Sequence, residues 1–187
     1  LGYKTILVDA DTRKSVMAGR FKFTNKITGL TSYLSGVAAI EDVIYETDVE
    51  NLNIIPAGKV PPSPTSLLQN KNFNIMIDVF KEYYDYIIID CPPSLGLITL
   101  NSLTAASGVI IPVQTEYYAL EGLSQLMNTF NIVKKHLNSK LDIFGVLLTM
   151  TDSRTNISNQ VGEQVREHFK GKAFNTVIAR TVRLSEA

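Results

Sequence analysis

Short runs of apolar, β-branched residues alternate along the chain with longer stretches in which apolar residues recur every three or four positions. The short runs predict strands over residues 5–9, 52–56, 86–90, 108–113, 144–149 and 174–178. Their length and Val/Ile content suit strands covered on both faces of a parallel sheet. The longer stretches predict helices over 28–36, 39–45, 71–84, 94–106, 119–137 and 156–170. Within 119–137, Leu120, Leu123, Leu126, Met127, Phe130 and Val133 fall on one side, the stripe that a helix turns toward a core. Alternation of strand and helix implies right-handed crossovers, and so an α/β fold with a doubly wound, mostly parallel sheet and helices on both faces.

Two of these strands end in acid. One reads Thr5-Ile6-Leu7-Val8-Asp9-Ala10-Asp11, the other Tyr86-Ile87-Ile88-Ile89-Asp90-Cys91-Pro92-Pro93. Ligands of open parallel sheets bind beyond the carboxyl ends of the strands. Carboxylates there can hold Mg²⁺ directly or through water. The pattern therefore predicts a nucleoside triphosphate site around Asp9, Asp11 and Asp90. The alternative is that Asp9 and Asp90 only cap the helices that follow. A Gly-rich loop ending in Lys-Ser or Lys-Thr, which would cradle the phosphates, does not occur in these residues. Because the chain opens one step before a buried strand, the expectation is a single domain incomplete at both ends, whose phosphate loop lies upstream.

Composition narrows this only in part. The 187 residues suit one domain with a proper core. Acids and bases balance at 18 each, so net charge argues neither for nor against a nucleic-acid partner. A single cysteine, Cys91, excludes an internal disulfide framework and fits a reducing compartment. With two prolines beside it and no histidine near it in sequence, it reads as a buried, inert thiol. No apolar run approaches the roughly 18 residues of a membrane span. His136 and His168 stand alone on predicted helices, which argues against zinc. Tyr83, Tyr84, Tyr86, Tyr117 and Tyr118 read as packing residues. The stretch Pro56-Ala57-Gly58-Lys59-Val60-Pro61-Pro62-Ser63-Pro64 is a rigid loop after a strand tip. Two readings of it stand: a border of the nucleotide or of a subunit contact, or a stiff surface loop.

The first half of the chain resembles the bacterial tyrosine kinases of capsule and exopolysaccharide operons, the CpsD/CapB type. The likeness rests on Gly2 to Arg13, Ser15-Val16-Met17, Ile27-Thr28-Gly29-Leu30-Thr31, Tyr33-Leu34-Ser35-Gly36, Gly58 to Thr65 and Leu67-Leu68-Gln69-Asn70, and runs to about Asp90. The second half, from about Asp85, resembles the ParA/Soj partition ATPases. It does so through Asp90-Cys91-Pro92-Pro93-Ser94-Leu95-Gly96, Pro112 to Leu123, Gly145 to Met150, Arg154-Thr155-Asn156 and Arg180 to Ala187. Both families belong to the ParA/MinD superfamily of P-loop ATPases with a deviant Walker A motif. The changeover falls near Asp85 to Pro93, so a hybrid is one expectation.

What these resemblances imply can be written residue by residue. The cofactors would be ATP and Mg²⁺. Asp11 would help hold the metal, Asp9 would help activate the attacking hydroxyl, and Asp90 would act as the Walker B acid through metal-bound water. Pro92 and Arg180 would border the nucleotide. Arg154 and Arg183 would contact DNA without sequence preference, since guanidinium pairs well with phosphate. Lys134, Lys135, Lys140, Arg166 and Lys170 could widen that patch. The implied activity is an ATP-driven dimerisation switch in chromosome or plasmid partition, with a homodimer in the ATP state, a ParB-like partner and a cytoplasmic, nucleoid-associated location. The alternative is a protein-tyrosine kinase at the cytoplasmic face of the membrane, controlling capsule synthesis with a membrane-bound activator. A third expectation is a non-functional hybrid fragment. Two departures from the partition pattern stand out: Thr12-Arg13 where that family has Pro-Gln, and Ile178-Ala179-Arg180-Thr181 where it has Ile-Pro-Arg-Asn.

Overall fold

The computed structural model describes residues 2–12, 15, 17–21, 23, 27–59 and 72–181. The chain divides into two compact units, Leu1–Ala105 and Ala106–Ala187.

In the first unit β1 (Thr5–Asp9) lies between β3 (Leu52–Ile55) and β4 (Tyr86–Asp90), all three parallel. A two-residue strand, β2 (Tyr45–Glu46), pairs antiparallel with β3 and gives the order β2-β3-β1-β4. Among the described residues four helices accompany this sheet: α1 (Met17–Arg20), α2 (Leu30–Leu34), α3 (Asn72–Tyr83) and α4 (Leu97–Ala105). Flanked on both sides, β1 buries Ile6 and Val8 fully, as an unbroken β-branched run predicts. These pack with Leu30 and Leu34 of α2, Phe73, Met76, Ile77 and Phe80 of α3, and Ile98 of α4. The spacing of the four α3 residues puts them on one face, which is why that segment is helical and where it points.

One close approach fixes the loop after β3. A Cβ on Gly29 would stand 2.4 Å from both the Pro56 carbonyl oxygen and the Gly58 nitrogen. With hydrogen there instead, the Leu30 N–H donates to Pro56 O at 2.8 Å and the Thr31 N–H to Ala57 O at 3.0 Å. Gly58 itself has φ +82°, the left-handed region that favours glycine. Residues 56–59 are thereby tied to the start of α2; the rest of the Pro-rich stretch, 60–64, lies outside the described residues.

The helix predicted over 39–45 is corrected. Only one 3₁₀ turn forms, Glu41–Val43, and Tyr45 enters β2. The Asp42 carboxylate accepts the Ala39 N–H at 3.1 Å and holds the turn. Ile44 is already extended (φ −92°, ψ 126°), and the Tyr45 hydroxyl donates to Thr28 O at 3.0 Å. Strand pairing and that hydrogen bond outweigh a weak helical period. The one-turn helix α1 carried no recognisable period.

In the second unit β5 (Gly108–Gln114), β6 (Asp142–Thr151) and β7 (Ala173–Ala179) run parallel in that order, with α5 (Ala119–His136) and α6 (Asn156–His168). The stripe on α5 buries Leu123, Phe130 and Val133 against this unit's core and leaves Leu120, Leu126 and Met127 half-buried. β6 starts two residues earlier than its hydrophobic run. A polar latch supports that end: the Lys172 ammonium lies 2.8 Å from both Asp142 carboxylate oxygens and 2.8 Å from Ile143 O. The reading of the tyrosines as packing residues fails for Tyr117 and Tyr118, which are 73% and 76% exposed and meet each other edge to face. Tyr83 and Tyr86 are exposed too, whereas Tyr84 packs against Phe80.

Candidate functional site

The register of β1 on β4 sets Asp9 directly beside Asp90, at the carboxyl ends of two parallel strands. The Ala10 N–H donates to Asp90 O at 2.9 Å, so the two tips stay joined one residue beyond the ladder. Asp9 is 1% exposed. One carboxylate oxygen accepts the Asp11 N–H at 3.1 Å, and the other accepts the Ser15 hydroxyl. The Ala57 N–H lies near this carboxylate and helps lower its pKa, so the loop after β3 borders the site. Burial pushes the Asp9 carboxyl above its ordinary range; the donors from Ser15, Asp11 and Ala57 pull it back in part, and the Asp11 charge pushes it up again. Asp90 is raised as well, by burial first and then by the charges of Asp9 and Asp11. A cavity of about 250 Å³ opens over these groups, lined by Asp9, Asp11, Asp90, Ser15, Arg20 and Phe21 among others.

This geometry rules out the capping alternative. The helix after Asp9 begins at Met17 and the one after Asp90 at Leu97, too far on for either acid to serve as N-cap. Cys91, next to Asp90, is half-buried, and burial pushes its thiol up despite a hydrogen bond with Ser102. It is not an activated nucleophile. Pro92 follows, half-buried.

The carboxyl ends of β6 and β7 carry the second set of expected residues. Arg154 sets its guanidinium fork on Asp152: Nε lies 2.9 Å from one carboxylate oxygen and Nη2 2.7 Å from the other. That pairing holds the Asp152 carboxyl down at about 2. The Arg154 side chain is 87% exposed. Arg180 donates its backbone N–H to Thr151 O at 3.0 Å and approaches Glu116 to 3.7 Å through Nη1. Of the basic residues expected to widen the patch, Lys134 is engaged by Asp142 at 3.8 Å and lies over the Phe130 ring. Arg183 lies outside the described residues.

Comparison with known proteins resolves the two resemblances. The AAA domain family matches residues 1–143. The sporulation initiation inhibitor protein Soj of Bacillus subtilis is 47% identical over 194 aligned positions, covering 100% of this chain and 76% of that protein. The chain belongs to the Soj/ParA family. Its likeness to Soj spans both halves. The tyrosine-protein kinase CpsD of Streptococcus agalactiae is 56% identical, but over 106 residues that make up 57% of this chain and 46% of the kinase. The fold is that of the ParA/MinD P-loop ATPases. Among solved structures, cobyrinic acid a,c-diamide synthase from Mycobacterium smegmatis, with a bound ATP analog and magnesium, superposes with a TM-score of 0.83 at 29% identity. That match covers 96% of this chain and 76% of the synthase.

Within this Soj/ParA chain, three contributors escaped the sequence reading: Ser15, the Ala57 N–H and Arg20. Ser15 carries a hydroxyl six residues past Asp9, in a turn without period. Ala57 reaches Asp9 only because β3 lies beside β1. Among the described residues no group of three or more acids, histidines or cysteines is close enough to cage a metal. Asp11 and Asp90 line one cavity, and Mg²⁺ is commonly held by one or two carboxylates together with waters and substrate phosphates. No helix among the described residues is long and apolar enough to cross a membrane.

Proposed function

We propose that this chain carries the metal-binding acids of an ATP site in a single P-loop ATPase domain, and that the protein acts as a dimerisation switch of chromosome or plasmid partition. The observation that carries this reading is the juxtaposition of Asp9 and Asp90 at adjoining strand tips, with Asp11 in the same cavity. Asp11 and Asp90 would hold Mg²⁺ through oxygen or water. Bound there, the metal neutralises phosphate charge, the main demand of phosphoryl transfer. Asp9, buried and facing the same cavity, would help activate an attacking hydroxyl as a general base. Ser15 and the Asp11 N–H orient that carboxylate. Pro92 would contact the nucleotide. ATP would join two copies, and Arg154 and Arg183 from each would meet DNA phosphates. A ParB-like protein would stimulate hydrolysis, at the nucleoid in the cytoplasm.

The test is ATP-dependent dimerisation and DNA retention by the complete gene product. Light scattering should report a dimer with ATP and Mg²⁺, a monomer with ADP, and a monomer when Asp11 is replaced by asparagine. DNA retention should follow the dimer. A protein that binds ATP yet stays monomeric would sink the switch. The 56% identity to CpsD over 106 residues supports a second reading, a tyrosine kinase. ATP-dependent phosphotyrosine on the protein itself, without DNA retention, would favour it.

A further inference from the structure

Arg20 has no assigned role in this architecture. It ends α1 and lines the same cavity as Asp9, Asp11 and Asp90, and it is the one basic residue among the described lining residues. Its guanidinium makes no ion pair or side-chain hydrogen bond among the described residues. An arginine lining a cavity with three carboxylates, yet engaged by none of them, has its five donors available for another anion.

Its position is built. At the front of α1, the Ser15 hydroxyl that donates to Asp9 also accepts the Met17 N–H at 3.3 Å. At the back, the Phe21 N–H closes the turn onto Met17 O at 3.0 Å. Phe21 stacks with Phe23, and Phe23 meets Tyr45, whose hydroxyl is tied to Thr28. α1 is thus anchored to the acid cluster at one end and to β2 at the other. Charge makes the same point. A cavity lined by carboxylates repels a polyphosphate, and positive charge placed in it lessens that repulsion. A guanidinium does more than add a positive charge: its planar fork matches two phosphate oxygens.

We propose that Arg20 is a phosphate-binding residue that engages the terminal phosphate of a metal-bound nucleoside triphosphate. This rests on the ATP-site reading above. It makes the site sensitive to the number of phosphates, because the contact is lost when the terminal phosphate leaves.

The experiment is equilibrium titration of the complete gene product with MgATP and, separately, MgADP, for the native protein and for Arg20→Ala, Arg20→Lys, Asp11→Asn and Asp90→Asn. Arg20 is exposed on a one-turn helix, and a melting curve checks that each variant is folded. For Arg20→Ala the expected result is about tenfold weaker MgATP binding with MgADP changed less than about twofold, and partial recovery in Arg20→Lys. MgATP affinity unchanged in Arg20→Ala while Asp11→Asn and Asp90→Asn lose it would overturn the assignment of Arg20 and leave the site intact. Tighter MgATP binding in Arg20→Ala would also overturn it, since Arg20 would then be a competitor of the metal. If neither the native protein nor any variant bound MgATP, the site reading and this inference would fall together.

Discussion

Asp9 and Asp90 sit side by side at adjoining strand tips, and this sets how the site responds to pH. Both carboxyls are raised in the folded protein, by burial and by their neighbours' charge. The folded form therefore binds more protons than the unfolded chain once pH exceeds the ordinary carboxylate value of about 3.9. Stability contributed by these groups falls as pH rises from there through the raised folded values. Asp90→Asn removes one partner from this repulsion. Without metal, that variant should melt about 1–2 °C higher than the native protein at pH 7, and the difference should vanish near pH 4. Added Mg²⁺ should raise the native Tm at pH 7 and leave that of Asp90→Asn nearly unchanged. Calorimetry at several pH values checks both, and a native Tm at pH 7 that ignores Mg²⁺ would count against the metal site. Arg154 presents the opposite case, an exposed fork already filled by Asp152. Exposed ion pairs contribute little, so a DNA phosphate can take the carboxylate's place at small cost. Asp152→Asn should thus strengthen DNA retention several-fold at low salt, and Arg154→Ala should weaken it. The Asp152 carboxyl is depressed to about 2, so the pair persists at all pH values above about 4 and is lost only as pH falls through about 2. Retention measured between pH 6 and 8 should show no step from this group.

At the scale of elements, the acid site depends on a backbone contact that involves no acid. Gly29 admits the loop after β3, and that loop supplies the Ala57 N–H to Asp9. Gly29→Ala would press a methyl group into backbone atoms of Pro56 and Gly58, which cannot swing away as a side chain can. The expected loss is about 1–3 kcal/mol of stability, the usual cost of overpacking. Displacing Ala57 also moves its N–H away from Asp9, so the carboxyl should rise further and Mg²⁺ should bind more weakly. A Gly29→Ala protein with native Tm and native Mg²⁺ affinity would show that the loop yields freely. This dependence was not legible in the sequence, because it links positions 29 and 57 through the pairing of β3 with β1. The strands themselves were legible. Ile6, Val8 and Ile54 are buried in an inner ladder, and such burial leaves an unbroken apolar run. Residues 39–45 were not, since a single 3₁₀ turn followed by a two-residue strand is too short to impose a period.

For the whole molecule, each unit contributes a different chemistry: the first unit holds the acids and the second holds Arg154. Asp9, Asp11 and Asp90 could be read in advance because strand tips of parallel sheets are where ligands bind. Ser15 and Arg20 could not, because they follow the tip in a stretch whose sequence shows no period, and only the fold brings them to the acids. On the proposed switch, DNA binding would depend on how many copies of the second unit meet the duplex at once. Each neutralised phosphate releases counterions, so the logarithm of the binding constant falls with the logarithm of salt at a slope near −0.9 per phosphate on duplex DNA. If Arg154 and Arg183 each neutralise one phosphate, a single copy should show a slope of about −2 and a dimer about −4. ATP should therefore steepen the salt dependence about twofold in the complete gene product, beyond any change in affinity at one salt concentration. Arg154→Ala should bring the ATP-state slope back by about 2 units, one for each copy. Fluorescence anisotropy with a random-sequence duplex at four or five salt concentrations measures these slopes. An ATP-state slope equal to that without nucleotide would mean that the arginines of two copies never engage the same duplex, and DNA retention would have to be uncoupled from the nucleotide.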